Sequence, residues 1–303
     1  MVANEQDRAK PPAKVLIPTS GKRAAVSFEF FPPRSEKARV ALDHAVGQLA
    51  PLGPKFMTVT YGAGGTTTDP TLQAVLKIQR ETGIQTASHL TFVSTPIWDV
   101  ATYAARLKEE GVGHVVALRG DPPAGKPADK YGGPGFFRSS PAFIASLKTA
   151  WGFDISISAY PEKHPDAPSS EGDIDMLARK ADAGASRAIT QFFFDNDTYF
   201  RFLDEADDAG VRIPIVPGVL PVLDFAKMTN FAARCGANVP SWMAERFAGV
   251  TDPVESRKIG LDIFIKQIDG LLAEGVDQIH IFTLNEADYV VAACAALPLG
   301  VPS

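Results

Sequence analysis

A polar, helix-like segment that ends at a glycine and is followed within a few residues by an apolar, β-rich run recurs along the chain. The glycines at these junctions are Gly53, Gly83, Gly111, Gly152, Gly184, Gly210 and Gly275. A glycine can end a helix because it adopts the left-handed conformation without a Cβ clash. Short apolar runs bounded by such signals indicate strands buried on both faces, as in parallel sheets. The pattern therefore predicts strands that alternate with helices.

Eight strands are predicted in this way, at residues 24–31, 55–60, 85–91, 114–119, 153–159, 187–194, 213–220 and 278–284. Helix-start signals lie between them, at Ser35, Asp69-Pro70 and Thr95-Pro96, where a cap residue precedes a proline or an acidic first turn. Eight such units indicate an α/β fold, a single (β/α)8 TIM barrel. An open doubly wound sheet is the alternative, but no glycine-rich dinucleotide turn follows the first strand.

We expect a flexible N-terminal arm over residues 1–20 and one catalytic barrel domain over residues 21–303. Two segments that follow strands are long. Residues 121–137 are rich in proline, glycine and lysine, and residues 224–272 have room for about two helices, so extra helices are predicted between strands seven and eight. Long segments after barrel strands form the active-site rim.

Composition narrows the possible partners. The 303 residues are 45% hydrophobic and 21% charged, as in ordinary globular proteins, and the net charge of -5 argues against an electrostatic nucleic-acid partner. No run is long enough to cross a membrane, and residues 1–20 lack the apolar region of a signal peptide. Two cysteines suit a reducing compartment, so we expect a cytoplasmic protein. No metal site is predicted, because no metal-ligand spacing connects His44, His89, His114, His164 and His280.

Polar residues at the carboxyl ends of barrel strands are the first candidates for chemistry. Glu29 lies between phenylalanines, and burial among aromatic rings would raise the pKa of its carboxyl group towards neutrality, where it could donate a proton. The alternative is a glutamate paired with a cationic neighbour across the barrel. Arg119-Gly120-Asp121 places a guanidinium and a carboxylate around a glycine that would let a flat ligand approach. A structural ion pair at the strand end is the alternative there.

Several segments at these strand ends resemble the bacterial, flavin-dependent methylenetetrahydrofolate reductase family. They are VSFEFFPPR (residues 26–34), VTYGA (59–63), HLT (89–91), ALRGD (117–121), AYPEKHP (159–165), RAITQFFFD (187–195), PGVLPV (217–222), WM (242–243) and FTLN (282–285). The likeness runs in order from about residue 24 to residue 297. The family's flavin-binding (β/α)8 barrel agrees with the repeat of glycines and strands.

The resemblance implies FAD-dependent reduction of 5,10-methylenetetrahydrofolate to 5-methyltetrahydrofolate by NADH or NADPH, with ping-pong hydride transfer through the flavin. Glu29 matches the general acid that opens the methylene bridge to an iminium ion, and Asp121 matches the acidic residue beside flavin and pterin. Gln191 and Phe231 match substrate contacts, and Thr60 matches a contact to the nicotinamide. The implied flavin contacts are Tyr61, Ala63, His89, Arg119, Gly120, Asp121, Tyr160, His164, Ala167, Asp173, Arg179 and Lys180. A homo-oligomer is also implied.

Three departures from the family pattern bear on the substrate contacts. Glu286 stands where the family carries an arginine, Lys227 stands where a glutamine is expected, and residues 122–140 form a longer loop in which Ser140 could be the flavin contact. Three other functions are considered. They are a flavin-free reductase on the same barrel, a non-catalytic folate- or flavin-binding regulator, and a phosphate-sugar aldolase or isomerase. No lysine inside a strand run offers a Schiff base for an aldolase.

Overall fold

The computed structural model describes residues 23–61, 68–121 and 133–300. Its strands form one parallel sheet in the order β7-β6-β5-β4-β3-β2-β1-β9-β8. The strands are β1 Ala25–Phe30, β2 Phe56–Val59, β3 Thr86–Thr91, β4 His114–Leu118, β5 Asp154–Ala159, β6 Arg187–Thr190, β7 Ile215–Val216, β8 Gly218–Val219 and β9 Gln278–Phe282. The predicted N-terminal arm, Ala63 and most of residues 122–140 lie outside the described residues.

The sheet closes on itself through residues 215–219. Strand β7 pairs with β6, and β8 pairs with β9, with Pro217 alone between the two short strands. Proline cannot donate a backbone hydrogen bond, but the Pro217 carbonyl accepts one from His280 N at 3.0 Å. The nine strands thus fill eight barrel positions, and the predicted barrel is confirmed. The proline accounts for the extra strand, and the sixth predicted strand ends at Thr190 rather than at residue 194.

Ten α-helices lie in the described part of the chain and surround the barrel. They are α1 Glu36–Leu49, α2 Thr68–Thr82, α3 Ile97–Glu109, α4 Ser140–Trp151, α5 Ser170–Asp182, α6 Asn196–Asp208, α7 Phe225–Cys235, α8 Ser241–Phe247, α9 Pro253–Ala273 and α10 Ala287–Ala296, with a 3-10 turn at Ala50–Leu52. The extra helices before the last strand are confirmed, although α7, α8 and α9 make three where the sequence suggested about two. No helix in the described ranges is both long and apolar enough to span a bilayer.

Local signals account for most element boundaries. All seven junction glycines have positive φ, between 62° and 109°. The Ser35 hydroxyl accepts a hydrogen bond from Ala38 N at 3.2 Å and so caps α1 as predicted. The cap predicted at Thr95 is wrong, because α3 begins at Ile97 and Pro96 occupies the N-cap position without a side-chain hydrogen bond.

Two apolar clusters support the carboxyl ends of the strands. The larger one packs the barrel against its helices, and Val26 and Phe28 of β1 are fully buried in it. The smaller one lies under α7, α8 and α9 and includes Phe192, Leu220 and Met243. Neighbouring residues of a strand face opposite sides, so Ser27 and Glu29 of β1 project into the barrel interior instead.

Candidate functional site

A cavity of about 290 Å³ opens at the carboxyl ends of the strands. Its wall is mainly apolar and aromatic, with a few polar groups. Predicted site residues in the wall are Glu29, Thr60, Tyr61, His89, Tyr160, Gln191 and Phe231, and the sequence did not single out Phe30, Phe31, Val116, Leu118, Ile157, Ser158, Ile189, Thr190, Phe192, Leu220, Phe282 and Leu284. Apolar pockets with a few convergent polar groups are typical of ligand sites.

Glu29 is held from three neighbouring strands. Its Oε2 lies 3.2 Å from His89 Nε2, 3.6 Å from His280 Nε2 and 3.5 Å from the Thr58 hydroxyl. The carboxylate side chain is 16% exposed, and both histidine rings are buried. The distances are within ion-pair range, although neither Nε2 makes a well-aligned hydrogen bond with a described residue.

The pKa of Glu29 runs against the prediction from its sequence neighbours. Burial alone would raise this pKa, but the charge of His89 and the contact with His280 outweigh burial and lower it to about 2. The predicted rise towards neutrality is therefore wrong for the protein without ligands. The alternative drawn from the sequence, a glutamate paired across the barrel, describes the arrangement, with two histidines as the partners.

The rim above Glu29 is fixed by Asn285. The Asn285 side chain accepts a hydrogen bond from Phe31 N at 2.9 Å and donates one to Phe31 O at 3.1 Å. Leu284 and Asn285 both have positive φ, 54° and 59°, a conformation that is unusual for residues other than glycine. Backbone strain of this kind persists where the surroundings enforce it and is frequent at functional sites. The Asn285 side chain therefore joins the ends of β1 and β9 beside the cavity.

Aromatic side chains form another part of the cavity wall. Phe231 projects from α7 and stacks on Phe192, with ring centroids 5.2 Å apart and an interplanar angle of 27°. Phe282 meets Phe192 edge to face at 6.2 Å. Gln191 lies beside this group, and its Oε1 accepts a hydrogen bond from Phe192 N at 3.1 Å. The amide nitrogen of Gln191 is thereby oriented by a short backbone contact within a largely apolar wall.

A second cavity of about 370 Å³ adjoins the first and shares Leu118, Ser158 and Tyr160 with it. It is more polar than the first. Its wall contains the predicted flavin contacts Arg119, Gly120, Asp121, Tyr160, His164, Ala167, Asp173 and Lys180, together with Ser140. These residues come from β4, β5, α4, α5 and their loops. The structure brings them together around one cavity, as the sequence grouped them.

Two cations lie in the second cavity. Arg119 Nη2 is 2.5 Å from Asp166 Oδ2, so the predicted ion pair at this strand end exists, but its partner is Asp166 rather than Asp121. Lys180 is buried and donates to the carbonyl of Ser158 at 2.6 Å. Burial lowers the pKa of Lys180 to about 8, against a smaller opposing effect of Asp173.

The loop after β5 is held in place by Asp173. Its Oδ2 accepts a hydrogen bond from His164 N at 2.7 Å, and the His164 ring meets Tyr160 edge to face at 4.6 Å. Burial and the nearby Arg119 lower the pKa of His164, whereas burial raises the pKa of Tyr160. Both rings are therefore mainly neutral near neutral pH, which suits contact with a flat, uncharged ring system.

Gly120 is required where it stands. Its φ is +79°, and a Cβ at this position would lie 2.8 Å from Cβ of Thr91. The segment after β4 therefore approaches Thr91, at the end of β3, more closely than a side chain would allow.

Three residues named from the sequence lie away from both cavities. Arg179 is exposed and lies 3.9 Å from Asp175, Lys227 is exposed beside Asp224, and Glu286 is exposed at the start of α10. Arg179 lies on a solvated face of α5, and its predicted flavin contact stays a prediction.

His280 and Thr58 complete the surroundings of Glu29 but were not predicted. The register of β1 against β9 pairs Ser27 with His280 and Glu29 with Phe282. His280 lies two positions before Phe282, the partner of Glu29, and so faces the barrel interior; this spacing along the last strand is the signal that could have identified it. Within the residues that the structure covers, no cluster of three or more His, Cys, Asp or Glu side chains could hold a metal ion.

A closed parallel barrel whose polar side chains converge at the carboxyl ends of its strands defines the class of α/β-barrel enzymes. Comparisons with known proteins narrow this class. Residues 16–298 match the sequence profile of the family described as methylenetetrahydrofolate reductase. The 5,10-methylenetetrahydrofolate reductase of Escherichia coli K12 is 42% identical over 273 residues, which is 90% of each chain. The Pectobacterium carotovorum enzyme of the same name is 41% identical over 278 residues, 91% of this chain and 90% of that one.

This chain belongs to the methylenetetrahydrofolate reductase family. A solved structure of an uncharacterised Clostridium thermocellum protein, described as binding two copies of 5-methyl-5,6,7,8-tetrahydrofolic acid, shares the fold with a TM-score of 0.62. It is 14% identical and matches 91% of this chain and 95% of that one. Membership of a reductase family removes the aldolase and isomerase alternatives.

Proposed function

We propose that the protein reduces 5,10-methylenetetrahydrofolate to 5-methyltetrahydrofolate, with FAD as bound cofactor and NADH or NADPH as hydride donor. One observation carries the proposal. A buried carboxylate, Glu29, lies at an aromatic-lined cavity that adjoins a polar cavity with two cations, Arg119 and Lys180. The name of the family and of its bacterial relatives supports the same reaction.

The residues of the two cavities fit FAD. The second cavity offers Arg119 and Lys180 for a diphosphate, and Tyr160, which lines both cavities, suits the passage of a flat ring into the first cavity. When bound, FAD supplies hydride transfer from the nicotinamide donor to the folate. The protein binds and orients both substrates in turn on the same face of the cavity.

Glu29 acts on the folate in this proposal. Opening the methylene bridge needs a proton on the folate nitrogen whose bond to the one-carbon unit breaks. Glu29 lines the apolar cavity and is the acid that would supply this proton. Glu29 is a carboxylate before ligands bind, so it must gain a proton first. Stacked ligands exclude water from its surroundings, and this desolvation raises its pKa towards the working pH. His89 Nε2, 3.2 Å away, is the nearest group from which the proton can come.

Asp121, Gln191 and Phe231 bind the pterin in this proposal. Asp121 is exposed at the end of β4, and its charge would stabilise the cationic iminium ion and accept hydrogen bonds from the pterin N–H groups. Gln191 offers an amide donor beside the stacked rings of Phe192 and Phe231. Thr60 lines the same cavity and would contact the nicotinamide.

An anaerobic visible spectrum of the purified protein tests the proposal. The expected result is a flavin band that bleaches with NADH or NADPH and returns when methylenetetrahydrofolate is added. A colourless protein that takes up no FAD would support the flavin-free reductase. A yellow protein that bleaches with neither donor would support the non-catalytic regulator.

Glu29→Gln separates the two half-reactions. The variant should keep the bleaching step and lose the return of the flavin band with folate, because only the folate step needs a proton from this side chain. Glu245→Gln, the same change on the exposed face of α8, is the control and should keep both steps. A normal folate step in Glu29→Gln would remove Glu29 as the acid.

We also propose that the protein is a homo-oligomer, on the basis of the family resemblance alone, and that it is cytoplasmic, because its two cysteines suit a reducing compartment. Light scattering of the purified protein gives the number of subunits, and a mass equal to one chain would contradict the proposed assembly.

A further inference from the structure

Two histidine–serine pairs lie inside the barrel below the cavity. His280 Nδ1 is 2.8 Å from the Ser27 hydroxyl, and His114 Nε2 is 2.8 Å from the Ser156 hydroxyl. All four side chains are fully buried. Phe56 contacts both histidines, with ring centroids 6.0 Å from His280 and 4.9 Å from His114. The two pairs are therefore matched in partner, burial and packing.

The two pairs differ in what the histidine faces. His280 Nε2 lies 3.6 Å from Glu29 Oε2. His114 Nε2 lies 3.0 Å from Arg187 Nη1 instead. A guanidinium can only donate, so His114 Nε2 is an acceptor there. Among the described residues no guanidinium lies within hydrogen-bond distance of His280 Nε2, so this nitrogen can carry the proton that faces the carboxylate.

Ser27 decides which nitrogen of His280 carries the proton. The Ser27 hydroxyl is 2.8 Å from Nδ1 and 3.5 Å from the Ile279 carbonyl, so the histidine is its nearer acceptor. When Ser27 donates to Nδ1, the ring proton resides on Nε2 and points towards Glu29. A distance of 3.6 Å is long for a hydrogen bond, but such contacts often shorten when substrate binds.

Three side-chain contacts from the described residues reach the Glu29 carboxylate at the same oxygen. Thr58, His89 and His280 approach Oε2. This arrangement fixes the carboxylate by one oxygen and leaves Oε1 to address a ligand in the cavity.

We propose that Ser27 and His280 are positioning residues for the reaction, which hold Oε2 of Glu29 so that Oε1 meets the folate and which set the pH range over which Glu29 is protonated. The inference rests on the proposed role of Glu29 as the acid. It extends that role to two side chains that lie outside the lining of both cavities.

The titratable groups near His280 lie on β1, β3 and β4. Glu29 on β1 contacts it, and His89 on β3 and His114 on β4 are the other titratable groups within electrostatic reach. Strand β8, on the other side of β9, contributes Gly218 and Val219, which do not titrate. Loss of His280 therefore leaves Glu29 with His89 as its remaining ring partner. Because the contact with His280 lowers the pKa of Glu29, its loss raises that pKa.

The test is the pH dependence of the folate half-reaction, followed as the return of flavin absorbance between about pH 5 and pH 9. His280→Gln should move the alkaline limb of the profile upward by about one pH unit or more, because Glu29 stays protonated to higher pH. Ser27→Ala should shift it in the same direction by less, and Ser27→Thr, which keeps the hydroxyl, should restore the profile of the unaltered protein. The bleaching step with NADH should keep its rate within about twofold.

His114→Gln and Ser156→Ala are the matched controls, since they remove the same groups from the pair that faces Arg187. They should leave the profile in place. A profile that does not move in His280→Gln and Ser27→Ala, or that moves equally in the controls, overturns the inference. If His280→Gln retains no flavin, the Ser27 variants decide. A normal folate step in Glu29→Gln would instead overturn the proposed role of Glu29 as the acid, and that result is distinct from an unmoved profile in the His280 variant.

Discussion

Gly260 offers a sharp test of the packing beside the site. It lies buried within α9 and faces the backbone of Val222, two residues beyond the cavity residue Leu220. A Cβ added at Gly260 would meet the Val222 carbonyl oxygen at 1.9 Å. Ordinary contacts between carbon and carbonyl oxygen are about 3.3 Å or longer. Gly260→Ala therefore forces α9 and the segment around Val222 apart by roughly 1.4 Å.

Two opposing effects set the size of the change. Alanine favours the helix by about 1 kcal/mol relative to glycine. Overpacking against backbone typically costs about 1–3 kcal/mol and exceeds this where neither side can yield. Because the obstacle is a backbone carbonyl rather than a flexible side chain, we expect a net loss of about 1–2 kcal/mol. For a domain of this size, that loss lowers Tm by roughly 2–8 °C.

Gly47→Ala is the matched control. Gly47 also lies in a helix, α1, but it is exposed, and a Cβ there has nothing within 4 Å. The same substitution should therefore raise Tm by roughly 2–4 °C, from helix propensity alone. Thermal unfolding followed by circular dichroism, with both variants under one set of conditions, gives the comparison. An unchanged or raised Tm in Gly260→Ala would refute the close approach of α9 to Val222.

Three further predictions concern charged and titrating groups. Asp121→Asn should weaken the folate step more than flavin binding, because it removes the charge that would stabilise the iminium ion. Rapid mixing and flavin titration check this, and lost flavin with normal turnover per bound flavin would contradict it. The affinity of the apoprotein for FAD should fall as pH rises through about 8, where Lys180 loses its proton, and Lys180→Met should flatten this dependence in a fluorescence titration. Burial and the charge of Arg187 lower the pKa of His114 from 6.5 to about 3. Between these two pH values His114 is protonated in the unfolded chain and neutral in the folded protein. The free energy of unfolding should therefore decrease as pH falls through this window. In His114→Gln, denaturant titrations should show a smaller decrease of the free energy of unfolding over this pH window. A decrease equal to that of the unaltered protein would count against a buried neutral His114.

The order of the elements could be predicted from the sequence because its signals are local. A glycine with positive φ ends a helix through contacts within a few residues, and all seven such junctions are found in the structure. Pro96 shows the limit of such signals. Pro96 occupies the N-cap instead of the first position of the helix, so α3 begins one residue later than predicted. The helix itself was correctly predicted.

The surroundings of Glu29 could not be predicted, because they depend on strand register. Its neighbours in sequence, Phe28 and Phe30, suggested an apolar setting, but adjacent residues of a strand face opposite sides. The groups that fix its pKa are His89 and His280, about 60 and 250 residues away along the chain. Arg119 follows the same rule, since its partner Asp166 comes from the loop after the next strand.

The break at Pro217 has a consequence for how the barrel moves. Residues 215–219 join the ring through two short ladders, one on each side, and the proline leaves one donor fewer at the middle of this segment. Regions held by few backbone hydrogen bonds open locally at lower free energy than the rest of a fold. Amides on either side of Pro217 should therefore exchange with deuterium sooner than those of β3 and β4. Leu220 directly follows residues 215–219 and lines the cavity. Local opening of the barrel at these residues should therefore affect the cavity wall first.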